Sequence, residues 1–195
     1  MNKVKRSDLK NILEYEMVRD SFRSEIIELK KLRRVPLGPS ITLLFENRET
    51  VIFQIQEMMR VERIVLEDRI EEEIQVYNAL IPEKGRLSAT MFIEIPDQAL
   101  IQPNLDSLMG IDQGQKLWIQ FGDERVYAKF EVGHSNEVKI SAVHFLQFSF
   151  SDQQQSLIKT IADFEFHLGV EHKGYQHRTR ISAVLVGMLI PELEL

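Results

Sequence analysis

Apolar residues recur at helical spacing along the first part of the chain. Tyr15, Val18, Phe22, Ile26 and Leu29 stand three or four residues apart, so at about 100° per residue they form one stripe on a helix. Ser7 has a hydroxyl suited to capping a helix start. Lys30, Lys31, Arg33 and Arg34 put cations at the negative end of the helix dipole. The pattern predicts a helix from Ser7 to Arg34, stopped by Val35-Pro36-Leu37-Gly38-Pro39-Ser40, since proline has no N–H to donate. Ile41–Phe45 reads as a short buried strand. A second helix begins at Glu49 or Thr50 and reaches Val65. A third spans Glu67 to Leu80, with Ile70, Ile74, Tyr77 and Ile81 inward, and Pro82-Glu83-Lys84-Gly85 ends it.

After residue 86 the period changes to two. Leu87, Ala89, Met91, Ile93 and Ile95 alternate with polar neighbours, as in a half-buried strand. Leu117, Ile119 and Phe121 form the next strand, and Gly122-Asp123 supplies a two-residue turn with glycine where a type II′ hairpin needs it. The return arm carries Val126, Ala128, Phe130 and Val132. Ala142, His144, Leu146, Phe148 and Phe150 make a further strand, and Leu168, Val170 and His172 another. Ser151-Asp152-Gln153-Gln154 resembles a capping box opening a helix with Leu157, Ile158, Ile161 and Phe164 inward. Asp97–Gly110 is a partly helical crossover, and Arg178–Ile190 reads as a closing helix. These elements predict an α+β fold, with N-terminal helices packed on one face of a mainly antiparallel sheet. One domain is expected over 1–195: 1–82 mainly helical with one short strand, 86–175 mainly β, and 178–190 the closing helix.

Charge narrows the function. Lys plus Arg is 24 and Asp plus Glu is 30, a net charge of −6, which argues against a protein that coats nucleic acid. The chain has no cysteine, so it offers no disulfide, thiolate metal site or thiol nucleophile. No signal peptide is apparent, and Ala183–Ile190, the longest apolar run, is far short of the ~20 residues that cross a bilayer. A cytoplasmic protein that does not use membranes is expected. Nine scattered glycines form no phosphate-cradling loop.

Some polar positions stand out. Val51, Ile52, Ile55, Met58 and Met59 define an apolar arc on the second helix, and Glu62 falls inside it if the helix continues. Either the helix has ended by then, or Glu62 pairs with Arg19 or Arg23, or it is a functional acid in a cleft. Glu46, Asn47 and Arg48 crowd a strand-to-helix junction, where backbone N–H groups hold an anion or are capped. Of the five histidines, His167, His172 and His177 lie five apart and His134 and His144 ten apart, with no metal-binding pair on one helical face. His144 and His172 fall on apolar strand faces, where a neutral imidazole bonded to backbone is usual. Glu171, His172 and Tyr175 could exchange protons, but no nucleophile accompanies them. No catalytic residue, metal site or cofactor is assigned.

Phe45-Glu46-Asn47-Arg48-Glu49-Thr50-Val51-Ile52-Phe53-Gln54-Ile55-Gln56-Glu57-Met58, then Tyr77-Asn78, then Leu87–Ile95, resembles an uncharacterised bacterial domain-of-unknown-function family, number thirty-five hundred and one. The resemblance starts at Asp8-Leu9 and Glu14-Tyr15-Glu16 with Arg19, Phe22 and Arg23. It continues through Ser141-Ala142-Val143 to His172 and Tyr175. Where that family has Asp-His-Pro this chain has Glu171-His172-Lys173, so a rigid proline turn is missing. The resemblance implies a redox setting, beside rubrerythrin-like and iron–sulfur-binding proteins.

The sequence thus reads more as an interaction or accessory module for an unidentified protein partner than as an enzyme. Its expected surface is Glu46, Asn47, Arg48, Gln54, Gln56 and Glu57, with Gln54, Glu57 and Arg60 turned outward. The alternatives are a ligand pocket or enzyme using Arg19, Arg23, Glu62, His172 and Tyr175, or a structural homo-oligomer.

Overall fold

A computed structural model describes residues 1–131, 140–160 and 165–194. Helix α1 (Ile12–Arg33) is followed by β1 (Arg34–Pro36), β2 (Ile41–Phe45), α2 (Arg48–Val61), α3 (Glu67–Asn78) and β3 (Arg86–Ile93). Next come α4 (Ile101–Ser107), β4 (Leu117–Phe121), β5 (Glu124–Phe130), β6 (Val143–Ser149) and α5 (Asp152–Thr160). The chain closes with β7 (Phe166–His172), β8 (Tyr175–Arg180) and α6 (Ala183–Glu192). The expected Val132, His134, Ile161 and Phe164 positions lie outside the described residues.

The strands form one antiparallel sheet in the order β1-β2-β3-β6-β5-β4-β7-β8, and it curls into a nearly closed barrel. Apolar side chains from every strand meet in one core, among them Val35, Leu43, Met91, Leu146, Ala128, Ile119, Leu168 and Tyr175. At the seam the Tyr175 hydroxyl donates to the Leu37 carbonyl at 2.6 Å and accepts the Ser40 N–H at 3.1 Å. Gly38 adopts φ +76°, and a side chain there would strike His177 and Tyr175.

The α+β class holds, but the helices do not simply cover one face. Residues of α2 and α3 make a second core with Val4, Leu9, Leu80 and Ile81, against which Phe145 of β6 packs. Helix α6 instead joins the barrel core through Leu185, Leu189 and Leu193. Alternation along a strand shows only that one face is dry; a covered open sheet and a curled sheet share it.

Several boundaries move for local reasons. Helix α1 starts at Ile12, because Asn11 accepts the Glu14 N–H at 2.9 Å and Glu14 reciprocates; Ser7 sits in a preceding 3-10 turn. The first 82 residues hold two strands, the extra one being β1. Arg178–Arg180 belong to β8, and the closing helix begins only after Ser182, whose hydroxyl accepts the Leu185 N–H. The Gly122-Asp123 hairpin forms as expected, with Gly122 at φ +55°.

Two contacts fix the assembly. On the outer barrel wall Trp118 lies over Gly169, where a Cβ would come within 2.1 Å of the indole. The Arg125 guanidinium sits 4.1 Å from the Trp118 ring centroid and pairs with Glu171. Arg33, fully buried, donates to the Phe45 and Glu46 carbonyls and to both oxygens of Glu192 in α6.

Gly169→Ala is expected to displace the sole tryptophan and cost about 1–3 kcal/mol. Its signature is a shifted fluorescence maximum, and unchanged emission would contradict the packing. Arg33→Ala should cost about 3–5 kcal/mol by urea denaturation, while Arg33→Met/Glu192→Leu should recover much of it. A double variant no more stable than the single one would show that the ion pair is not the reason.

Candidate functional site

Helices α1 and α2 lie side by side, and their contacts run in opposite directions along the two elements. Tyr15 and Arg19 meet Glu57, Phe22 meets Phe53, and Arg33 meets the backbone of Phe45 and Glu46. Val51, Ile55 and Met59 are buried, each worth about 1.5–3 kcal/mol. On α2 only Glu49 and Val61 are fully exposed.

Glu46 is buried, not solvated. Its carboxylate accepts the Thr50 and Thr90 hydroxyls at 2.5 Å each and the Gln54 amide at 3.0 Å. Its charge attracts the Lys30 ammonium, which lies 5.0 Å from the Phe53 ring centroid and whose pKa is held below the usual lysine value by burial. Asn47 caps α2 by accepting the Thr50 N–H at 3.0 Å, and the Thr50 hydroxyl accepts the Asn47 N–H in return. Arg48 pairs with Asp8 at 2.6 Å, and its N–H points to the Met1 sulfur. The junction is therefore capped from within the chain.

Two amides tie the N-terminal segment down. The Gln56 side chain accepts the Lys10 N–H at 2.7 Å and donates to its carbonyl at 3.1 Å. Asn78 does the same for Val4, at 2.8 and 2.9 Å. Glu57 accepts the Tyr15 hydroxyl at 2.8 Å and a bidentate Arg19 at 2.7 and 2.9 Å, with Arg60 at 3.4 Å. The Arg19 guanidinium holds the Glu57 pKa down at about 2, and burial pushes the Tyr15 phenol above its usual range. Gln54, Glu57 and Arg60, expected to face outward, are partly buried and bonded within the subunit.

The interhelix tie expected of Glu62 is made by Glu57 instead. Helix α2 ends at Val61, so Glu62 becomes its exposed C-cap, and Arg23 is exposed on α1. His172 and Tyr175 belong to the barrel. The His172 Nε2 faces the Ser107 carbonyl at 3.2 Å, and burial with the nearby Lys116 charge holds its pKa below the usual imidazole value. His144 contacts the Ser141 carbonyl at 2.8 Å. Arg19, Arg23, Glu62, His172 and Tyr175 are thus shared between the helical layer and the barrel and do not form one cluster. Among the described residues no group of three or more His, Asp or Glu side chains could hold a metal ion, and no helix is long and apolar enough to cross a membrane.

An open groove of about 360 Å³ runs between α1 and α2. Tyr15, Val18, Phe22 and Ile52 supply its apolar lining, while Asp8, Lys10, Glu25, Glu49 and Gln56 bring polar groups. Glu25 and Glu49 are exposed and have no hydrogen-bond or ion-pair partner among the described residues.

Residues 3–193 match the family model "Protein of unknown function (DUF3501)". The chain belongs to the DUF3501 family. The DUF3501 fold is also seen in the crystal structure of a novel protein of unknown function from Burkholderia pseudomallei K96243. That protein is 31% identical, and the match covers 99% of this chain and 100% of the other with a TM-score of 0.89. No curated protein matches.

Sequence reasoning missed Glu25 and Glu49 as groove residues in this DUF3501 chain, and it missed Arg33 with Glu192. Arg33 was concealed among neighbouring cations at a helix end. Asn11 and Glu14 carried a capping signal that was readable.

Because the Glu57 pKa lies below the unfolded value near 4.5, its contribution is full above that pH. It is lost as pH falls toward about 2. Glu57→Gln is therefore expected to be less stable than wild type at neutral pH, with a gap that narrows between those two values in urea titrations. A constant gap would refute the linkage.

Proposed function

We propose that this DUF3501 protein is a binding module that docks a partner protein through its helical layer, with no chemistry of its own. The groove between α1 and α2 carries this reading. There, open apolar side chains sit beside two unpaired carboxylates, whereas the neighbouring Glu57, Arg19, Arg60, Arg48 and Asp8 are engaged with one another. Apolar surface flanked by free charge favours recognition, because the first supplies affinity and the second orientation. Of the surface expected from sequence, Gln56 lines this groove. Arg48 and Glu57 hold the lining residues Asp8 and Tyr15, and Glu46, Asn47 and Gln54 lie outside the lining. A redox protein of the kind the family resemblance implies is one candidate partner.

Val18 is about one-third exposed in the groove, so Val18→Asp tests docking without breaking a core contact. Affinity purification from native cells, quantified by mass spectrometry, should recover a partner with wild type that falls about tenfold with this variant, a loss of about 1.4 kcal/mol. Circular dichroism should show the same fold. Identical partner profiles would end the proposal.

A further inference from the structure

We infer that the groove accepts a partner segment pairing an apolar anchor with a lysine or arginine, whose cation sits at Glu25 and Glu49. This rests on the docking reading above and adds the partner's class. Phe22 packs edge-on against Phe53 with ring centroids 5.9 Å apart. Glu25 lies three residues beyond Phe22 on α1, and Glu49 lies four residues before Phe53 on α2. Because the helices run in opposite directions, both carboxylates fall at the same end of the groove. At the other end Gln56 grips the Lys10 backbone. Asp8, the third carboxylate of the lining, is paired with Arg48. The uncompensated carboxylates are therefore confined to one end, and Lys10, the lysine of the lining, stands at the Gln56 end.

An acidic segment would repel Glu25 and Glu49, and a neutral one would desolvate them with only uncharged hydrogen bonds in return. A lysine or arginine would give each a charge-assisted hydrogen bond while Val18, Phe22 and Ile52 cover its apolar neighbour. The same two carboxylates repel anionic lipid headgroups and nucleic-acid phosphates, which favours a protein segment over either. The groove runs along α1 from Tyr15 to Glu25, about 15 Å at the helical rise. That length suits a short linear segment.

The test pans a displayed library of random twelve-residue peptides on the full-length protein, with counter-selection on Glu25→Lys/Glu49→Lys. Enriched peptides are expected to carry Lys or Arg beside apolar residues. As synthetic peptides they should bind less tightly at high salt and about tenfold more weakly to Glu25→Gln/Glu49→Gln, which preserves size and removes charge. Acidic or uncharged peptides that ignore both charge variants yet are lost on Val18→Asp would overturn the cation rule and leave docking intact. No enrichment, or enrichment indifferent to Val18→Asp and to the charge variants, would overturn both.

Discussion

A fully buried guanidinium joins the separate parts of this molecule. An unpaired cation in the interior costs several kcal/mol, so Arg33 is tolerable only because each of its three guanidinium nitrogens donates to an acceptor. Four hydrogen bonds do this, two to Glu192 and one each to the carbonyls of Phe45 and Glu46. Those carbonyls lie where β2 gives way to α2, a point at which backbone acceptors have left the sheet ladder and not yet entered a helix. Glu192 comes from 159 residues further along the chain. The end of α1, the strand-to-helix junction and the last turn of α6 therefore share one set of satisfied polar groups. Shifting any of them leaves a buried charge or carbonyl without a partner, which penalises alternative packings more than it rewards this one.

Glu46 repeats the device between layers. Its carboxylate accepts Thr90 from β3 and Thr50 and Gln54 from α2, and its charge acts on Lys30 of α1. Apolar packing alone would let α2 slide along the sheet, since any register of branched side chains buries similar area. A carboxylate with donors on both sheet and helix accepts one register. The Gln56 and Asn78 amides fix the N-terminal segment in the same way, each matching a backbone N–H and C=O with its own pair.

Which parts were legible in the sequence follows from the range of each interaction. The Gly122-Asp123 hairpin and the α3 stripe depend on neighbours a few residues away, and their residue types announce them. Capping at Asn47 was readable for the same reason. Barrel closure was not, because Tyr175 finds Leu37 across 138 residues and nothing in either neighbourhood marks the other. The end of β8, Arg178–Arg180, reads as the start of a helix in the sequence because its outer residues, Arg178 and Arg180, also suit a helix surface. The outward direction assigned to Gln54 and Glu57 failed on a physical point. Angular position on a helix separates the core side from the rest, but it does not say whether a second helix covers the rest, and α1 does.

That covering helix decides where recognition can occur. With α2 pressed on the sheet below and held by Tyr15, Arg19 and Arg33 of α1 beside it, its polar side chains other than Glu49 are committed to internal partners. The free surface shifts to the crease between the two helices, and there the sequence has left Val18 and Ile52 without full cover and Glu25 and Glu49 without counterions. Carboxylates that had to hold the fold together, Glu46, Glu57 and Glu192, are all bonded to donors inside the chain. The two at the crease contribute nothing of that kind, so removing their charge changes what the groove attracts without disturbing the contacts that build it.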